Sequence, residues 1–151
     1  MFTIVRRYIK TSLVFFITGL ALGGWILYLQ WTGSAGNLGV LISAHTHLIL
    51  FGFMVMLIMG ISYWMFPRPA KEDFRYSPRL SEINYWFITI GTTIRAAGEI
   101  SMYIHAWDFA FFMVAFGAVA QLIAGFIFSW NIWTRIRSIG SYHREAKGEK
   151  F

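Results

Sequence analysis

Long apolar runs separated by short polar breaks dominate the pattern along this chain of 151 residues. A helix that crosses a membrane needs about 20 mostly apolar residues. Four runs are long enough, so we predict an all-α fold: a bundle of four transmembrane helices in one domain over residues 1–151. The predicted spans cover residues 12–31, 38–66, 83–104 and 109–133, followed by a tail at 134–151.

The composition supports a membrane protein and argues against a soluble one. Hydrophobic residues make up 57% of the chain and charged residues only 13%, whereas about a quarter of a soluble domain is charged. The net charge of +6 does not indicate nucleic acid, because the basic residues fall in the breaks between apolar runs. We therefore expect a lipid membrane as the partner and no nucleic acid.

The distribution of Lys and Arg predicts the orientation in the membrane. Basic residues precede the first span, follow the second and follow the fourth, while the loops at 32–37 and 105–108 contain none. The positive-inside rule then places both termini in the cytoplasm, so we predict a multi-pass protein of the inner (cytoplasmic) membrane. The basic residues at these three places are Arg6, Arg7, Lys10, Arg68, Lys71, Arg75, Arg79, Arg135, Arg137, Arg144, Lys147 and Lys150.

Two histidines, His45 and His47, lie one residue apart inside the second predicted span. Ionisable side chains inside a membrane are rare and usually functional. Two residues on an α-helix are separated by about 200°, so the two rings are expected to point to opposite flanks. Each ring is therefore a candidate ligand for a site on its own flank, or a hydrogen-bond partner of a neighbouring carbonyl or hydroxyl group.

Arg95 and Glu99 lie four residues apart on one face of the third predicted span. Either they pair with each other and hold helices together, or Arg95 faces an anionic ligand group such as a porphyrin propionate. In the second case Glu99 would orient Arg95 or a histidine Nδ1–H. His105, at the outer end of that span, is an axial ligand, a propionate contact or a solvated loop histidine.

Small and amide side chains predict contacts between the helices. The pair Gly19 and Gly23, and the set Gly117, Ala118 and Gly125, have the spacing that lets helices approach closely. Two polar side chains of the fourth span are expected to form hydrogen bonds between helices. They are Gln121 and Asn131.

Two opposed imidazoles in dry, aromatic-rich surroundings suit a flat apolar metal cofactor. Haem fits, because its macrocycle needs apolar surroundings and its iron accepts imidazole. The chain has no cysteine, so the haem would be non-covalent, which favours haem b. A bare zinc or copper ion needs converging ligands, so copper is the less favoured cofactor. The predicted metal ligands are His45 and His47, and Arg95, Glu99 and His105 complete the predicted cofactor site.

A resemblance to a known family lies in residues 44–68, the run AHTHLILFGFMVMLIMGISYWMFPR. This run resembles the haem-bearing helices in the catalytic subunit of haem–copper oxidases and nitric oxide reductases. Such helices open with His-Thr or His-Gly, continue in aliphatic residues with glycines, and end in an aromatic residue and proline. The chain also resembles short four-helix proteins related to oxidase subunit I and the haem- and copper-binding NnrS-type membrane proteins. The matching positions are His45, Thr46, Gly52, Gly60, Tyr63 and Pro67.

The resemblance also implies an assembly. The catalytic subunit of that family has twelve helices in three sets of four, and one of them carries two histidines whose rings serve different haems. A homotrimer of this chain would repeat such a helix three times, and His45 of one subunit and His47 of the next would hold one haem b near the outer face. The histidine–tyrosine motif of the oxidase copper site has no counterpart here, so the resemblance does not imply oxygen reduction to water by this chain alone.

Three functions are compatible with these features. The favoured one is a membrane b-type cytochrome that transfers electrons to or from a protein or a quinol, because bis-histidine iron has no open position. The second is a haem-dependent oxidoreductase or gas-binding protein acting on nitric oxide, oxygen, superoxide or quinol, with one histidine as ligand. The third is a non-catalytic subunit or assembly factor of a respiratory complex, or a handler of copper or haem.

Overall fold

The computed structural model describes residues 3–34, 36–66, 77–105, 108–136 and 147–148. Four long helical segments form this part of the chain, and the described residues contain no strand, which confirms the predicted all-α fold. The second segment, Leu38–Met65, is continuous but contains a π-helical stretch. The elements are α1 (Thr3–Trp31), α2 (Leu38–His47), the π-helix (Leu48–Val55), α3 (Met56–Met65), α4 (Pro78–Ile104), α5 (Asp108–Ile132) and a 3₁₀ turn (Trp133–Arg135).

Three of the four segments are long and apolar enough to cross a membrane: Thr3–Trp31, Leu38–Met65 and Asp108–Ile132. The fourth, α4, is about 40 Å long at 1.5 Å per residue, but it is not among the segments that also meet the hydropathy requirement. Its polar side chains explain the difference. Asn84, Thr92 and Glu99 are buried against the other helices, so the mean hydropathy of α4 is low although many of its exposed side chains are apolar. That α4 crosses the membrane stays a prediction.

The π-helix begins directly after His47 and was not indicated by the sequence. In a π-helix the backbone N–H bonds the carbonyl five residues earlier instead of four, so the turn is wider. Such segments occur frequently at functional sites. Here the wide turn separates α2, which carries both histidines, from α3, which carries the buried Met59 and Tyr63.

Glycines allow the helices to approach closely. A Cβ at Gly52 would lie 2.7 Å from Phe15 Cγ of α1, and one at Gly117 would lie 2.6 Å from the Gly91 carbonyl oxygen of α4. A Cβ at Gly19 would lie 2.6 Å from Ile49 Cδ1. The predicted close contacts are therefore confirmed for Gly19 and Gly117. The prediction is wrong for Gly125, where a Cβ would meet no described atom within 4 Å.

A cluster of polar side chains lies at the end of the bundle far from the histidines. Tyr8 donates to the Ser81 carbonyl oxygen at 3.1 Å, and its ring contacts Tyr63 at 5.7 Å between centroids. Asn131 Nδ2 donates to Ser81 Oγ at 3.0 Å and to Tyr63 Oη at 3.5 Å, which confirms its predicted role between helices. Several residues used in the sequence predictions lie outside the described residues: Pro67, Arg68, Lys71, Arg75, Arg137, Arg144 and Lys150.

Candidate functional site

The ring of His45 packs against α1. Its Nδ1 lies 2.8 Å from the Gly19 carbonyl oxygen, which can only accept, so Nδ1 carries the proton and donates. A Cβ at Gly23 would lie 2.9 Å from His45 Cε1, so only glycine leaves room for the ring there. With Nδ1 protonated and the imidazole neutral, Nε2 keeps its lone pair.

The ring of His47 lies on the other flank of α2, beside α4. Its Nδ1 donates to the Ser43 carbonyl oxygen at 2.8 Å and lies 3.6 Å from Glu99 Oε1. The ring stacks on Phe51 of the π-helix, with centroids 5.7 Å apart and planes 18° apart. His47 therefore also keeps the Nε2 lone pair. The two rings contact different helices, as the 200° separation about the α-helix axis predicts.

Glu99 connects α2 to α4 and is 4% exposed. Its Oε1 accepts from Ser43 Oγ at 2.7 Å and from Arg95 Nε at 3.3 Å. Its other oxygen, Oε2, is buried and has no hydrogen-bond partner in the described part of the chain. A buried carboxylate oxygen without a donor is costly, so Glu99 depends strongly on the contacts of Oε1.

Arg95 extends this network to α5. Its Nη1 donates to Gln121 Oε1 at 3.3 Å, and Gln121 Nε2 donates to Thr92 Oγ1 at 3.1 Å, which confirms Gln121 as a partner between helices. A guanidinium group has five N–H donors, and the described residues accept from two of its nitrogens. The mutual Arg95–Glu99 pair is present, and donors of Arg95 remain for a further acceptor.

A groove of about 380 Å³ opens beside Arg95, between the π-helix and α5. We call it the α5 groove. Its wall is mostly apolar, and its polar groups come from Arg95, Gln121 and Ser129. The lining residues are Phe51, Arg95, Ala118, Gln121, Leu122, Gly125, Phe126 and Ser129.

Apolar side chains surround the other end of the polar network. Ile26, Leu29 and Leu41 are buried together, and Ile100 and Tyr103 of α4 pack against them. This cluster covers the level of α2 that precedes the histidines. Glu99 itself is almost fully buried, and removal from water strengthens its electrostatic interactions.

His105 is not part of the network. It is exposed and directly follows the last residue of α4, and its backbone N–H donates to the Ser101 carbonyl oxygen at 2.8 Å. It follows Glu99 by six residues, about 9 Å along a helix. The structure therefore brings together His47, Arg95 and Glu99, places His45 on the opposite flank, and leaves His105 apart.

Sequence reasoning missed three contributors to the site: Ser43, Phe51 and the Gly19 carbonyl. A signal existed for the first two, because both lie four residues from His47 and so share its helix face. The carbonyl of Gly19 had no signal beyond the small-residue spacing. In the described part of the chain, no three His, Cys, Asp or Glu side chains are grouped to bind a bare metal ion.

Comparison with known proteins gives one family match. The family model of cytochrome c and quinol oxidase polypeptide I matches residues 3–147 of the chain. No curated protein and no solved structure gives a significant match. The similarity to this family thus extends from α1 to beyond α5 and is not confined to the helix with the two histidines.

Proposed function

Because this chain belongs to the family of cytochrome c and quinol oxidase polypeptide I, we propose that it is a membrane b-type cytochrome that transfers electrons. Haem b, held without a covalent link, would supply the reversible one-electron couple of its iron. All four segments would cross the inner membrane, with both termini in the cytoplasm and the histidines nearer the outer face.

The observation that carries this proposal is the hydrogen bonding of the two imidazoles, which leaves Nε2 of each ring without a partner in the part of the chain that the structure describes. Each Nδ1–H donates at 2.8 Å to a backbone carbonyl oxygen of its own chain. Histidines that bind a metal usually donate the other ring N–H in this way, which fixes the ring and the tautomer. Neither Nε2 has a hydrogen-bond partner among the described residues, so both are suited to bind iron.

The residues around the two rings fit a haem. Arg95 has N–H donors left over beside an apolar groove, which suits a propionate carboxylate at the edge of a flat apolar ring. Glu99 would position Arg95 and polarise the Nδ1–H of His47, which raises the basicity of a ligating imidazole. A copper ion is the less favoured occupant, because His45 and His47 diverge.

A homotrimer would complete the coordination. The two imidazoles lie on opposite flanks of α2, so one chain would supply one ligand to each of two haem sites. We propose that His45 of one subunit and His47 of the next bind the same iron, with up to one six-coordinate haem b per subunit. Apolar side chains that face outward on α1 and α5, among them Val14, Leu27, Phe112 and Phe116, would contact lipid or the other subunits.

The divergence of the two imidazoles, which lie against different helices, also allows a second function. If the chain acts alone, the iron on either flank has a single imidazole and keeps an open position. Such a haem would bind nitric oxide or oxygen, or exchange electrons with superoxide or quinol, as a gas-binding protein or an oxidoreductase. The oligomeric state therefore separates electron transfer from gas binding.

The decisive experiment is an absorption spectrum of the purified protein with its iron content and its mass in detergent. A Soret band with low-spin features, unchanged when carbon monoxide is added to the reduced protein, is expected for the trimer. His45→Ala and His47→Ala are each expected to abolish the low-spin signal at every site. Thr46→Ala is the control, because that exposed hydroxyl bonds only its own helix at the Ile42 carbonyl oxygen.

The outcomes distinguish the three functions. If either histidine variant keeps full low-spin haem, the shared coordination is wrong. A carbon monoxide shift in a monomeric protein would support gas binding. Protein that takes up no haem at all would contradict both haem functions and leave a non-catalytic subunit or an assembly factor of a respiratory complex.

A further inference from the structure

The α5 groove has a feature that packing within the chain does not explain. Of the α5 glycines Gly117 and Gly125, only Gly117 is needed for contact with α4, where a Cβ would lie 2.6 Å from Arg95 Cβ. At Gly125 a Cβ would meet no described atom within 4 Å, and this residue lines the groove. The missing side chain therefore shapes the groove instead of a helix contact.

We propose that the α5 groove receives one edge of the haem that is ligated by His47, an inference that rests on the proposed function. Two side chains that line the groove also belong to the surroundings of His47. Phe51 stacks on the His47 ring and also lines the groove. Arg95 bonds Glu99, the carboxylate beside His47 Nδ1, and lines the same groove.

The lining matches the chemistry of a flat ring with carboxylates at one edge. Phe51, Leu122 and Phe126 offer apolar surfaces, and the absence of a side chain at Gly125 leaves room between them. Arg95 and Gln121 lie at the end nearer the histidines. Ser129 lies eight residues further along α5, about 12 Å at 1.5 Å per residue. The carboxylate edge is thus assigned to the Arg95 end and an apolar edge to the stretch towards Ser129.

The size of the groove indicates that it holds only part of the cofactor. Its volume of about 380 Å³ is near the lower limit of the roughly 300–1,000 Å³ typical of small-molecule sites. Phe126 and Ser129 on its rim are exposed. In the proposed trimer, the part of the ring outside the groove would face a second copy of the chain.

The test fills the groove without touching any proposed ligand. In Gly125→Phe the new ring occupies the groove, and we expect haem affinity, measured by titrating apoprotein in detergent, to fall at least about tenfold, a change of 1.4 kcal/mol. Gly24→Phe is the matched control, because Gly24 is an exposed helical glycine on α1 where a Cβ also meets nothing within 4 Å. Its affinity is expected to stay within about twofold of wild type, less than 0.5 kcal/mol.

Further measurements separate this inference from the proposed function. Ala118→Leu, a smaller change in the same lining, is expected to shift the Soret band and weaken binding by less than Gly125→Phe, and it decides the matter if Gly125→Phe does not fold. If both groove variants bind haem with wild-type affinity and spectrum while His47→Ala loses it, the groove inference is wrong and the proposed function stands. Wild-type protein that binds no haem overturns both.

Discussion

The two histidines of α2 each donate Nδ1–H to a backbone carbonyl oxygen, but the groups around these two hydrogen bonds differ. On the α1 flank, His45 donates to the carbonyl oxygen of Gly19, and the space for its ring is set by Gly23. On the α4 flank, His47 donates to the Ser43 carbonyl oxygen beside the Glu99 carboxylate, which is paired with Arg95. The first flank offers a neutral backbone carbonyl alone, whereas the second adds a charged pair of side chains to a backbone carbonyl.

This difference teaches that each flank is sensitive to a different kind of change. No substitution removes a backbone carbonyl, so the α1 flank responds to volume rather than to charge. The α4 flank responds to charge, because removing one member of a buried ion pair leaves the other uncompensated in a low-dielectric interior. A ligand held beside a carboxylate is also more electron-rich than one held beside a carbonyl, so the two imidazoles would not contribute equally to an iron between them.

The largest effect is expected from Glu99→Ala. The substitution leaves the guanidinium of Arg95 without its carboxylate and Ser43 Oγ without an acceptor. Breaking a buried pair in this way costs about 3–5 kcal/mol. The free energy of unfolding in mixed micelles, or the midpoint of thermal unfolding in detergent, measures the loss.

Two controls belong to this prediction. Glu99→Gln keeps an acceptor for Ser43 and is expected to lose less than Glu99→Ala. The double variant Arg95→Met with Glu99→Met removes both charges and is expected to recover much of the stability, because no charge remains uncompensated. A loss below about 1 kcal/mol for Glu99→Ala, as for an exposed pair, would show that the α4 flank does not depend on charge.

A smaller effect is expected on the neutral flank from Gly23→Ala. The added methyl group would lie 2.9 Å from His45 Cε1 and 3.1 Å from Nδ1, so the ring must shift and its bond to Gly19 lengthens. Overpacking of this kind costs about 1–3 kcal/mol. The adjacent Gly24→Ala meets nothing within 4 Å and is expected to be neutral or slightly stabilising in the same unfolding assay.

The same two variants can be compared by the spectrum of the haem-loaded protein, which reports on the surroundings of the iron. Gly23→Ala is expected to alter the low-spin electron paramagnetic resonance signal, while Gly24→Ala leaves it unchanged. Equal stability and identical spectra for the two variants would contradict the assignment of Gly23 as the space for His45.

The smallest effect is expected from His105→Ala. This exposed side chain has no hydrogen bond or ion pair with any residue that the structure describes, so the free energy of unfolding should change by no more than about 0.5 kcal/mol. The Soret band is expected to keep its position and intensity. A loss of low-spin haem in this variant would mean that His105 is an axial ligand. The site would then include a third histidine besides His45 and His47.

Local spacing in the sequence predicted the part of the site that lies within single helices. The opposed directions of His45 and His47 and the Arg95–Glu99 pair both follow from helix periodicity. The bond from His45 to Gly19 joins residues 26 apart, and the bond from Ser43 to Glu99 joins residues 56 apart. Such partners depend on how the helices pack, which periodicity within one helix does not determine.

The predicted fold shows the same limit. The four segments were identified from apolar runs, but α1 begins at Thr3, well before the predicted start at residue 12. The charged residues Arg6, Arg7 and Lys10 are compatible with a helix beyond the apolar stretch, since hydropathy reports the surroundings of a residue and not its backbone conformation. The low mean hydropathy of α4 has a related cause, because its polar side chains meet other helices and not lipid.

The π-helix sets the rotational phase between the two ends of the second segment. A residue in an α-helix advances about 100° around the axis, and one in the wider π turn advances less. Over Leu48–Val55 these differences accumulate, so the face that carries the histidines and the face that carries Tyr63 are not aligned as in an uninterrupted α-helix. Deleting one residue within Leu48–Val55 would let this stretch close as an ordinary α-helix with little change in phase, so the histidine end and the tyrosine end would both keep their present neighbours; an α-helix of unchanged length could not do this.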